Sequence, residues 1–120
     1  MADPIVIDPQ AIENLRALNP GDNDEFLREI AGIFLEDTPL RIVELGQSLT
    51  AGDASKFTRA AHSIKGSSAN LGAMTLRAAA ERLEHQARKD GLGAVAPLVD
   101  EIKAEFARAE TALRKIIEPR

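Results

Sequence analysis

The chain has 120 residues, 15 Lys and Arg against 19 Asp and Glu, a net charge of −4, four aromatic residues, all phenylalanine, and no cysteine. That length fits a single domain, 1–120, with a proper core, and the lack of cysteine excludes disulfides, zinc–thiolate sites and thiol catalysis. Interspersed charges and scarce aromatics argue against a nucleic-acid surface. The opening MADPIVIDPQ is unlike a signal peptide, and no apolar run approaches membrane-spanning length. The expectation is a cytoplasmic protein without nucleic-acid or membrane partners, and starting at Met1 with a polar tail fits a free-standing chain.

After an extended lead over 1–8, Asp8-Pro9 predicts the cap of a short helix with Ile12, Leu15 and Leu18 on one face, broken by NPGD. Asp22 and Glu25 are spaced as a capping box for a second helix, with Phe26, Ile30, Ile33 and Phe34 as its apolar stripe. Thr38-Pro39 predicts a break or bend before LRIVELGQSLTAG. Gly52 closes that helix, Asp53 caps the next, and Leu71-Gly72 ends it.

Residues from about 73 to 90 are helical by pattern, with Leu76, Ala80, Leu83 and Ala87 aligned and KDGLG as the stop. The last helix, roughly 94 to 117, aligns Leu98, Ile102, Phe106, Ala109, Leu113 and Ile116 or Ile117, with Pro97 tolerated in its first turn. No segment alternates with the period of a strand. The fold class is therefore all-α, an antiparallel four-helix bundle with an additional short N-terminal helix or helices.

At about 100° per residue, Phe57, Ala60, Ala61, Ile64, Ser68 and Leu71 share one direction, which must be the core, and His62 points roughly 140° away from it. Thr58, Arg59, Lys65 and Gly66 are its neighbours one turn before and after. Glycine costs about 1 kcal/mol relative to alanine inside a helix, so Gly66 calls for a reason beyond stability. It leaves open the volume beside the imidazole, and Lys65 adds a mobile positive charge within reach of an anion on the ring. An exposed imidazole keeps a nucleophilic neutral fraction near neutral pH, so a bulky anionic group, phosphoryl above all, suits the space.

The run AHSIKGSSANLGA, with His62, Lys65-Gly66-Ser67-Ser68 and Leu71-Gly72-Ala73, resembles the signature of histidine-containing phosphotransfer (HPt) domains. The flanking FLREIAGIFLEDTPLRIVELGQSL and LRAAAERLE are similar to the helices of that family, so the likeness covers most of the chain. The resemblance implies a four-helix bundle, phosphorylation of His62 on its outer ring nitrogen, and exchange with an aspartate of a receiver domain. It further implies that Lys65 stabilises the phosphohistidine, that Gly66 gives the receiver access, and that Ser67, Ser68 and Gly72 serve close packing and the helix end. Where some relatives carry a glutamine that bonds the imidazole, this chain has Glu84, which can accept from the inner ring N–H but would repel a phosphoryl group.

The expected function is a phosphocarrier of a two-component phosphorelay, with receiver domains and a sensor histidine kinase as its partners. Thr58, Arg59 and Ala69 should dock the receiver beside His62, Lys65 and Gly66. No G-x-x-x-x-G-K-[ST] loop is present, so the chain is not read as a kinase. It needs no cofactor of its own, the Mg²⁺ and reactive aspartate belonging to the receiver. A monomer is expected. The competing readings are an unphosphorylated adaptor using the same surface, and a bundle metal site, which would want Glu-x-x-His pairs that are absent here. His85 is assigned no role, and Arg77/Glu81 and Glu84/Arg88 are read as i,i+4 helix support.

Overall fold

The computed structural model describes residues 5–118, and among these are five helices and no strand. They are α1 (Pro9–Leu18), α2 (Glu25–Ala51), α3 (Ala54–Leu71), α4 (Met74–Asp90) and α5 (Ala96–Ile117). The helix ends follow the local chemistry. Asp8 caps α1 by accepting from the Gln10 amide at 3.0 Å, and Asp53 caps α3 by accepting from the Lys56 amide at 3.0 Å. Gly52 and Gly72 end α2 and α3 in the left-handed conformation that glycine adopts without a Cβ clash.

Three expectations about α2 need correction. It runs unbroken through Pro39. Leu27, Ala31, Phe34 and Leu35 before the proline and Leu45 and Ser48 after it are all buried, so one core holds both halves of a continuous helix. Pro39 itself is exposed, where water can serve the carbonyl its missing N–H leaves free. The capping box does not form either: Asp22 accepts from the amides of Asp24 and Phe26, and Asp24, at φ +65°, starts the helix without a side-chain cap. Arg16 instead clamps Asp24 with two bonds of 3.0 and 3.2 Å. Finally, Ile33 is 57% exposed and Phe26 and Ile30 are half-buried, so of the expected stripe only Phe34 lies in the core.

In α1 only Ile12 is buried; Leu15 is half-buried and Leu18, at the last turn beside the NPGD break, is 70% exposed, so the expected face is cut short. The stripes of α4 and α5 match expectation closely. Leu76, Ala80, Leu83 and Ala87 of α4 are buried, as are Ile102, Phe106, Ala109 and Leu113 of α5, with Val99 in the place given to Leu98. α3 packs against both α2 and α4, and α5 closes the bundle, its Phe106 ring tilted against Phe34 at 5.8 Å. Burial of a side chain such as Phe57 or Leu83 contributes about 1.5–3 kcal/mol each.

The lead before α1 docks on the α3–α4 turn. Ile7 and Ala73 form an antiparallel bridge, the Asp8 amide donates to the Gly72 carbonyl at 2.8 Å, and the Met74 amide donates to Val6 at 3.0 Å. Gly72 is where the two backbones meet. A Cβ there would stand 2.5 Å from the Ala11 Cβ and 3.2 Å from Asp8.

Gly52 makes a matched control, with φ +70° and ψ 23° against +69° and 23° at Gly72, but with no heavy atom near its absent Cβ among the described residues. Gly52→Ala should cost about 1–2 kcal/mol from backbone conformation alone. Gly72→Ala should cost about 1–3 kcal/mol more, because the lead and α1 must move. Urea unfolding of the two variants checks this, and equal losses would mean that the close approach contributes nothing.

Candidate functional site

The buried residues of α3 are Phe57, Ala60, Ala61, Ile64, Ser68 and Leu71, the stripe read from the sequence. Ser68 is accommodated in the core because its hydroxyl donates to the Ile64 carbonyl at 2.6 Å. With that face fixed, the His62 side chain stands 64% exposed near the middle of the helix. A Cβ on Gly66 would meet no heavy atom within 4 Å among the described residues, so the volume one turn beyond the ring is open.

The α3–α4 connection brings a partner to the inner side of the ring. His62 and Glu84 each lie about three helical turns from Gly72-Ala73, one on either side, so the antiparallel pair sets them level. Glu84 Oε2 lies 3.0 Å from His62 Nδ1. With Nδ1 carrying the proton, that nitrogen donates to the carboxylate and Nε2 presents its lone pair to solvent.

The Glu84 side chain is only 8% exposed and holds two cations as well: Lys65 Nζ at 2.8 Å from Oε1 and Arg88 at 2.9 Å from Oε2. Burial alone would raise its pKa. Hydrogen bonds from Lys65, Arg88 and His62, with the Lys65 charge, overcome that and lower the carboxyl from 4.5 to about 2. Glu84 is thus ionised at any physiological pH, and Lys65 is seated on it, half-buried, instead of extending freely into solvent.

Of the remaining candidates, Arg59 and Ala69 are exposed on the arc of α3 around His62, and Thr58 is half-buried with its hydroxyl donated to the Ala54 carbonyl. Ser67 sits with Asn70 in a groove against Ile30, Ile33 and Asp37 of α2. His85 is exposed. Among the described residues no group of three or more His, Cys, Asp or Glu is placed to hold a metal ion, and no helix is long and apolar enough to cross a membrane.

Two features escaped sequence reasoning. The i,i+4 spacing of Glu84 and Arg88 reads as helix support; the spacing is real, but it feeds a buried carboxylate shared with His62 and Lys65. The second is the outward apolar face of α2, where Ile33 and Leu40 are 57% and 62% exposed.

A helical bundle that presents one solvent-facing imidazole, oriented from behind and unobstructed in front, defines a class of histidine-bearing carrier domains. The chain belongs to the Hpt domain family, whose model matches residues 29–112. HptB, a histidine-containing phosphotransfer protein of Pseudomonas aeruginosa, superposes with a TM-score of 0.86 at 28% identity over 97% of both chains. A putative histidine-containing phosphotransfer protein of rice shares the fold, with a TM-score of 0.82 at 18% identity over 94% of this chain and 80% of that one. Multistep phosphorelay regulator 1 of Schizosaccharomyces pombe is 31% identical over 83 residues, which is 69% of this chain and 28% of that protein's length.

The acid limb of stability should report the Glu84 cluster. Its folded pKa lies below the unfolded one, so its contribution is complete above about pH 4.5 and is lost as pH falls toward about 2. Glu84→Gln lacks that contribution. In urea titrations the stability gap between the parent and Glu84→Gln should therefore narrow by on the order of 2 kcal/mol across this window. A gap independent of pH would show that these partners do not hold the carboxylate ionised.

Proposed function

We propose that this protein is a single-domain, monomeric phosphocarrier of the cytoplasm, in which His62 Nε2 accepts a phosphoryl group from the phospho-aspartate of a receiver domain and passes it to another. The observation that carries the reading is the imidazole itself: Nδ1 engaged by Glu84, Nε2 facing water, and open space over Gly66.

In this reading the Nε2 lone pair attacks phosphorus as the bond from phosphorus to the aspartyl oxygen breaks, and the aspartate leaves as its carboxylate. The reverse step returns the electron pair to Nε2. Glu84 aims the ring throughout. Lys65, three residues from His62, turns from Oε1 toward the arriving phosphoryl oxygens, and Arg88 remains on the carboxylate. Mg²⁺ and the reactive aspartate come with the receiver, and ATP chemistry belongs to a separate sensor kinase.

Docking is modest and transient, centred on His62, Gly66, Thr58, Arg59 and Ala69.

Incubation with a labelled phospho-receiver and Mg²⁺ should give acid-labile, alkali-stable label on the parent and none on His62→Gln. Label on neither, across a panel of receivers, would favour a docking adaptor. Gly66→Gln should leave the melting temperature unchanged or raised, because glutamine is the better helix former by somewhat under 1 kcal/mol. The same variant should slow transfer about tenfold or more by holding the reacting atoms apart. An unchanged rate would remove the case for the glycine.

A further inference from the structure

We propose that the groove between the N-terminal lead and the outer face of α5 is a docking site for an acidic amphipathic helix of a partner protein. It lies on the far side of the bundle from His62.

α5 buries Ile102, Phe106, Ala109 and Leu113, so the opposite arc of the helix carries Arg108, Thr111 and Lys115 into solvent. The lead runs beside that arc. Val6 and Ile7 of the lead, with Ala112 and Ile116 of α5, give the groove apolar walls, and Arg108, Thr111 and Lys115 line it as well. Beyond Ile7 and Ile116 it continues onto α1, past Ile12 and Arg16.

Spacing on α5 indicates what fits. Arg108, Thr111, Ala112 and Lys115 fall at i, i+3, i+4 and i+7, so two short side chains are bracketed by cations about 10 Å apart along the axis. A facing helix is complementary when large apolar side chains occupy its middle pair and carboxylates its outer pair. A fatty acid carries a single carboxylate and would leave one cation unmatched.

Charge points the same way. The chain as a whole is at −4, yet the charge left uncompensated along this groove is positive. Among the described residues Lys115 makes no ion pair, and Arg108 is paired only with Glu105, at 3.1 Å, which leaves other guanidinium N–H groups to donate. Glu13, the acid that lines the extension of the groove, is already paired with Arg16. An acidic segment is therefore attracted and a basic one repelled.

α5 packs against α2 and α4 and, among the described residues, not against α3, so it stands diagonally across the bundle from the helix that bears His62. A partner docked there leaves the imidazole open to a receiver. No step of the inference passes through the imidazole.

The test titrates the full chain with a labelled helical peptide of about 18 residues carrying Glu-x-x-Leu-Leu-x-x-Glu, followed by fluorescence anisotropy and ¹H–¹⁵N spectra. Shift changes should gather at residues 6–7 and 107–116 and spare 58–69. Changing both peptide glutamates to lysine should weaken binding about tenfold or more. Lys115→Glu should weaken the original peptide to a similar degree and recover affinity for the lysine peptide. Labelling of His62 by phosphoramidate should be the same with and without peptide.

Should Lys115→Glu fold poorly, the two peptides on the parent decide alone. Binding indifferent to peptide charge, shifts centred on α3, or a peptide that blocks labelling of His62 would each overturn the inference. So would a different occupant: a dimer that dissociates in Lys115→Glu would assign the groove to a second copy, and peptide affinity raised tenfold by deleting residues 2–4 would assign it to the chain's own N-terminus.

Discussion

The apolar stripe of α3 is the constraint on which the rest depends. α3 is wedged between α2 and α4, and six of its side chains, Phe57 to Leu71, are sealed in the core. A helix so fixed cannot rotate about its axis without exposing a phenylalanine, an isoleucine and a leucine, each contributing about 1.5–3 kcal/mol by burial. His62, on the opposite arc, is consequently aimed by packing that it takes no part in. Its ring needs only one further restraint, rotation about its own side-chain bonds, and Glu84 supplies it.

That second restraint depends on the height of α4 relative to α3. A buried carboxylate without partners would be strongly destabilising, and one surrounded by an imidazole, an ammonium and a guanidinium is not. The arrangement works only while Glu84 stays level with His62, which the short Gly72-Ala73 connection sets. The lead and α1 press on that connection from outside, through Asp8 and Ala11. Residues far from the imidazole in sequence and space therefore help to hold its orienting carboxylate in register.

What the sequence made legible is what short-range physics decides. Asp8, Gly52, Asp53 and Gly72 mark helix ends because capping and the left-handed conformation involve only a few neighbouring residues. The α3 stripe and the exposure of His62 follow from one helical period. Pro39 misled because its local penalty is real, yet a core shared by both halves of α2 outweighs it. Glu84 could be named as facing His62 by resemblance, but its burial, and hence the roles of Lys65 and Arg88 as its counterions, arise only when two helices are docked.

The misplaced stripe of α2 has a different origin. α2 carries two apolar faces: Leu27, Ala31, Phe34 and Leu35 turned into the bundle, and Ile30, Ile33 and Leu40 turned outward or along the groove with α3. A periodicity argument assumes that apolar residues mark one interior direction, so it returned a stripe straddling both. The assumption fails where a helix carries a second apolar face outside the core. Ile33 and Leu40 belong to that second face and stand 57% and 62% exposed.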